Sequence, residues 1–138
     1  MISEASPNKN LVSNKKVSSG LVASFSASIL ETICHLESNK VTKSIHHRVR
    51  ELGRKLATVN SSRKKLTNTK KYLEGAIEIS LEIREVTKEL EVLAMKIGKL
   101  HDKIIMPDIK NAIHIARAAG KSALESIKVN KKQLLTLD

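Results

Sequence analysis

The chain has 138 residues, of which 41% are hydrophobic and 28% charged, and its formal net charge is +11 with an isoelectric point near 9.9. One Phe, one Tyr, no Trp, five Gly and two Pro argue against a β-sandwich or barrel, which draws on aromatic and β-branched strands joined by Gly/Pro turns. The length suits one domain, and a single cysteine, Cys34, excludes an internal disulfide and a cysteine-rich zinc site.

Residues 1–17 (MISEASPNKNLVSNKKV) are rich in Ser, Asn and Lys and offer few apolar positions to offset ordering entropy. They are expected to form a disordered arm, followed by one helical domain over 18–136. The start lacks the charged-then-apolar layout of a secretory signal, and no continuous apolar run reaches the length of a membrane span. The expectation is a soluble chain that is cytoplasmic at synthesis.

Ser18 and Ser19 are capping types, and Val22, Phe25, Ile29, Ile33 and Leu36 follow at helical spacing, with Ser24, Ser26, Ser28 and Thr32 on the opposite face. This predicts a helix over 18–37. After a break near residues 37–40, Val41, Ile45, Val49, Leu52, Leu56 and Val59 predict a second helix over 41–59. Asn60, Ser61 and Ser62 mark the next boundary. From Tyr72 the apolar positions Ala76, Ile79, Ile83, Val86, Leu90, Leu93, Ile97, Leu100 and Ile104 alternate steps of four and three, the spacing of a coiled-coil seam. A helix over about 62–105 would be roughly 65 Å long at about 1.5 Å per residue, a central spine that outruns its neighbours. Pro107 ends or bends it. A last helix from about 108 into the 130s carries the stripe Ile109, Ile113, Ala116, Gly120, Leu124 and Ile127, and its small middle predicts the tightest helix crossing. The fold class is therefore all-α, an antiparallel helical bundle of three to four helices with one long central helix.

Catalytic motifs are lacking. There is no HExxH, no Glu-x-x-His, no G-x-S-x-G and no phosphate-cradling glycine loop. Glu31 and His35 lie four apart on one helix, but a zinc site would need a third ligand such as His101 or His114 from elsewhere. The histidines are read instead as solvated or hydrogen-bonded, and no metal or cofactor is expected. Cys34 and His35 point about 100° apart on a helix, so they make no thiolate–imidazole pair. No enzyme activity and no small-molecule substrate are expected.

Charge carries more information. Residues 40–71 hold eleven basic side chains against Glu51 alone, whereas 72–105 hold seven acids and five bases. On a helix, Lys43, His47, Arg50 and Arg54 form one ridge opposite the apolar stripe, and Arg63, Lys64 and Lys65 extend it around the turn. A positive tip at one end of the bundle is expected, suited to an anionic partner, either nucleic acid or an acidic phospholipid surface. No helix-turn-helix pattern or aromatic stacking platform supports nucleic acid specifically. The other expectation is a non-enzymatic module that binds another helical protein, or a second copy, through exposed helix faces. The seam residues Ile83, Val86, Leu90, Leu93, Ile97 and Leu100 are the candidates for that contact.

Overall fold

The structure is a computed structural model. It describes the backbone at 5–36, 40–61, 69–100 and 103–137, and side chains at 19–36, 42–59, 69–100 and 103–137. Four helices pack against one another: α1 (Ala5–Leu36), α2 (Lys40–Ser61), α3 (Thr69–Leu100) and α4 (Met106–Leu135), with a 3₁₀ turn at Lys103–Ile105 leading into α4. The all-α bundle expected from the periodicity is present.

Contacts fix the direction of each neighbour. Glu31 of α1 meets His46 and Arg50 of α2, and Ala27 faces Gly53 further along. Arg48 and Lys55 of α2 reach Glu89 and Glu82 of α3. Glu91 and Gly98 of α3 meet Arg117 and Ile109 of α4, and Ser26 and Ser19 of α1 meet Ala112 and Ser122 of α4. In every case a rising number on one helix pairs with a falling number on the next. The four helices therefore run up, down, up and down, with α1 and α3 also touching across the diagonal.

Boundaries depart from the sequence reading at the first and third helices. The first helix reaches back to Ala5, so residues 5–17 of the expected arm belong to α1; Pro7 falls in the first turn, where proline removes no helical hydrogen bond. The break after the first stripe is confirmed, because α1 and α2 are separate antiparallel helices. As described, α3 has 32 residues, as does α1, against 30 in α4, and residues 103–105 of its expected end form the 3₁₀ turn instead. Residues 62–68, where α3 was expected to begin, and residues 101–102 lie outside the described residues. Pro107 occupies the first turn of α4, and Asp108 beside it sits favourably at the positive end of the helix dipole.

The stripe of α2 is buried as expected at Ile45, Val49, Leu52, Leu56 and Val59, joined by Thr42. In α3, Ile83, Val86, Leu90, Leu93 and Ile97 are core, and so is a third row at heptad position e, namely Leu73, Ser80, Thr87 and Ala94. That added row widens the buried face enough to meet α4 as well as α2. The α4 stripe is buried as expected at Ile109, Ala116 and Ile127, but it is rotated toward Ala112, Ala119 and Ala123, while Ile113, Gly120 and Leu124 lie at its edge.

The face of α1 was misread. Its buried residues are Ser19, Gly20, Ala23, Ser26, Ala27, Leu30, Ile33 and Cys34, while Phe25 is 65% and Leu36 is 78% exposed. The cause is close approach to the alanine row of α4. Small side chains let the two backbones come together, and Ser26 Oγ then donates to the Ala112 carbonyl (2.8 Å), while Ser19 Oγ donates to Ser122 Oγ (2.9 Å). These bonds satisfy hydroxyls that would otherwise be costly to bury.

One further correction follows from composition. Ser19–Leu36 is an 18-residue window with a mean hydropathy of 1.2, long and apolar enough by those criteria to cross a membrane, although no unbroken apolar run is present. Of that window 44% is buried inside the bundle.

Candidate interaction surface

The outer face of α1 is an apolar surface left uncovered among the described residues. Leu21, Phe25 and Leu36 are exposed, and Ile29 is half-buried between them. A groove of about 430 Å³ between this face and the start of α4 is lined by Phe25, Ile29, Thr32, Leu36, Ile105 and Asp108. Ile104, next to Ile105 in the 3₁₀ turn, is 86% exposed. A second groove, between α1 and α2, shares Ser28, Thr32 and Leu36 and adds Glu31, His35, His46 and Arg50. The two grooves therefore flank one helix face, apolar on the α4 side and ionisable on the α2 side.

Side chains on the α2 flank hold one another in place. Glu31 Oε1 lies 3.4 Å from Arg50 Nε and 3.8 Å from His46 Nε2, and the His35 and His46 rings meet edge to face at 6.3 Å. The Nε2 atom of His46 is buried and makes no hydrogen bond. Glu31 is thus met by α2, and His101 lies outside the described residues. Among the described residues no three His, Cys, Asp or Glu side chains gather in a way that could hold a metal ion. Cys34 faces the core beneath this flank; burial, with the nearby Glu31 charge, pushes its thiol up to about 11.

Of the basic ridge, Lys43, His47, Arg50 and Arg54 are all exposed along one face of α2, as the spacing predicted. Arg63, Lys64 and Lys65 lie outside the described residues. The surrounding charge is not what the sequence suggested. Arg50 is met by Glu31 and His47 by Glu51 (2.9 Å), and Lys55 is met by Glu82 (3.6 Å). Arg48, just off the ridge, grips Glu89 through Nε and Nη2 and reaches Glu51 through Nη1. These hydrogen bonds from Arg48 hold both carboxyls below the usual carboxylate range and raise the guanidinium. Among the described residues Lys43 and Arg54 have no carboxylate partner, so the uncompensated charge sits at the two ends of the ridge.

A second cationic surface was missed. Arg84 and Lys88 of α3, with Arg117 and Lys121 of α4, line a shallow groove floored by Ala116 and Gly120, in which Glu91 is taken by Arg117. Segment counting hid it, because residues 72–105 taken together are net acidic. The signal was present only in helical position, with basic residues four apart on each of two helices that pair antiparallel. Among the described residues positive charge therefore runs along the flanks of the bundle on α2 and on α3–α4, while the tip expected around Arg63, Lys64 and Lys65 lies outside them.

The seam residues proposed for partner contact are placed differently. Ile83, Val86, Leu90, Leu93 and Ile97 are already covered by this chain's own helices, and Leu100 alone is exposed, at 45%. A partner cannot reach the first five without opening the bundle. No family model matches the chain, and no curated protein or solved structure matches it.

Proposed function

We propose that the chain is a non-enzymatic interaction module that binds another protein through the outer face of α1. The observation that carries this reading is the exposure of Phe25 and Leu36, the former the only Phe in a chain almost without aromatics, in a stripe with Leu21, Ile29 and Ile105 rimmed by polar side chains. Large apolar side chains grouped on a surface and ringed by polar residues mark contact sites more often than scattered ones do.

The test is capture of binding proteins from extracts of the cells that make the chain, with wild type and Phe25→Asp compared at equal melting temperature. Loss of a captured protein with Phe25→Asp supports the reading. Capture that survives Phe25→Asp but is lost only in variants that also unfold, such as Leu93→Asp in the core, contradicts it.

A second reading, binding to an anionic surface of nucleic acid or acidic phospholipid, is favoured by the two cationic flanks. Phosphate neutralisation by clustered Lys and Arg predicts retention on heparin that falls steeply with salt. Charge reversal at Lys43 and Arg54 reports on the α2 flank, and reversal at Lys88 and Lys121 on the α3–α4 groove. Retention equal to that of all four reversals together would end this reading.

A further inference from the structure

Two features of the α1 face lie side by side, a four-turn apolar stripe and a cationic ridge along its α2 edge, and together they describe a partner. We infer that the occupant of the α1 face is an acidic amphipathic helix of another protein, its apolar stripe on Phe25, Ile29, Leu36 and Ile105 and its carboxylates along α2. The inference rests on the interaction-module reading above and adds the chemistry and direction of the partner.

Length comes from the stripe itself. Leu21 to Leu36 spans 16 residues, about 24 Å of helix, so a partner helix of about four to five turns covers it. Helices that dock on such faces present anchors at helical spacing, and the groove beside Phe25 and Ile105 takes one of them.

Charge supplies the asymmetry. From Ser19 to Leu36 the only charged side chain is Glu31, and Arg50 already meets it. The α2 edge offers Lys43 and Arg54, which have no carboxylate partner among the described residues, on the same helix face as Arg50, which lines the groove. The opposite edge offers Asp108 at the mouth of the apolar groove and no cation among the residues that line it. A helix with Glu or Asp on one flank and neutral or basic residues on the other is therefore complementary in one orientation and repelled in the reverse one. A second copy of this chain is disfavoured by the same charges: each carries +11, and pairing through α1 brings two α2 ridges to one interface.

The experiment selects helices on the immobilised full chain. A displayed library of amphipathic helices about 20 residues long keeps the apolar seam fixed and randomises both flanks among Glu, Gln and Lys. Expected is enrichment of clones with Glu on one flank only. Affinity of such a clone, made as a peptide, should fall about tenfold or more both with Lys43→Glu/Arg54→Glu and with Phe25→Asp. Enriched clones that need Phe25 but show neutral or basic flanks overturn the acidic-helix inference and leave the α1 face standing as an interaction surface. Clones indifferent to Phe25→Asp, or no surviving clones, overturn both. Light scattering that shows a dimer abolished by Phe25→Asp, or vesicles of acidic phospholipid that displace the selected peptide, also overturns the inference by assigning the face to another occupant.

Discussion

Gly53 and Gly120 both sit inside helices with ordinary negative φ, and what surrounds each decides its substitution. A Cβ on Gly120 would come within 2.8 Å of Thr87 Oγ1, whose hydroxyl donates to the Arg84 carbonyl (2.9 Å). Gly120→Ala gains about 1 kcal/mol of helix propensity but forces a buried, branched side chain to move, which typically costs about 1–3 kcal/mol. It is expected to lower stability, and Thr87→Ala in the same chain should recover most of the loss, as a double-mutant cycle of urea melts would show. A Cβ on Gly53 meets nothing nearer than Ala27 Cβ at 4.0 Å, so Gly53→Ala should stabilise by about 0.5–1 kcal/mol in the same assay. Cys34 belongs to the same scale. With its thiol near 11, only about one molecule in ten thousand carries a thiolate at about pH 7, and burial hides it. Maleimide labelling should be very slow in the folded chain and fast in urea; fast labelling without denaturant would contradict the packing of α1 on the core.

At the level of elements, α2 and α3 were legible in the sequence because their buried and exposed faces differ in polarity. Ile45, Val49, Leu52 and Leu56 alternate with charged residues, so hydrophobic periodicity and burial coincide. In α1 the contrast is absent. Residues 19–36 hold one charge, so what selects the buried face is size: Ala23, Ser26 and Ala27 permit the close approach to Ala112 and Ala116 that Phe25 would block. Periodicity weights a Phe above a Ser and so points the helix the wrong way. The same reasoning explains the rotated face of α4, and it explains why the candidate site moved from the α3 seam to α1. Between α2 and α3 the Arg48 clasp on Glu89 and Glu51 is pH-dependent in a defined direction. Both carboxyls lie lower in the folded chain than their ordinary value of 4.5, so their contribution is complete above that value and is lost as the pH falls through the lowered folded values. Arg48→Gln should therefore melt slightly below wild type near neutrality, with the gap closing in acid; the gap stays small because exposed pairs contribute little. A gap that widens in acid would contradict the assignment.

For the whole molecule, the antiparallel order places charge along the flanks of the bundle. Arg48–Glu89, Lys55–Glu82 and Arg117–Glu91 tie neighbouring helices, and positive charge remains along α2 and in the α3–α4 groove. Segment arithmetic located the positive half of the chain but not its shape, since shape depends on which helices become neighbours. An uncharged, apolar α1 face between those flanks is the feature on which the functional reading stands. The melting temperature of Phe25→Asp/Leu36→Asp tests it most directly. With both side chains in solvent, the double variant should stay within about 0.5 kcal/mol of wild type, a shift of a few degrees at most. A fall of ten degrees or more would show that these side chains are core, and that α1 turns its apolar stripe inward after all.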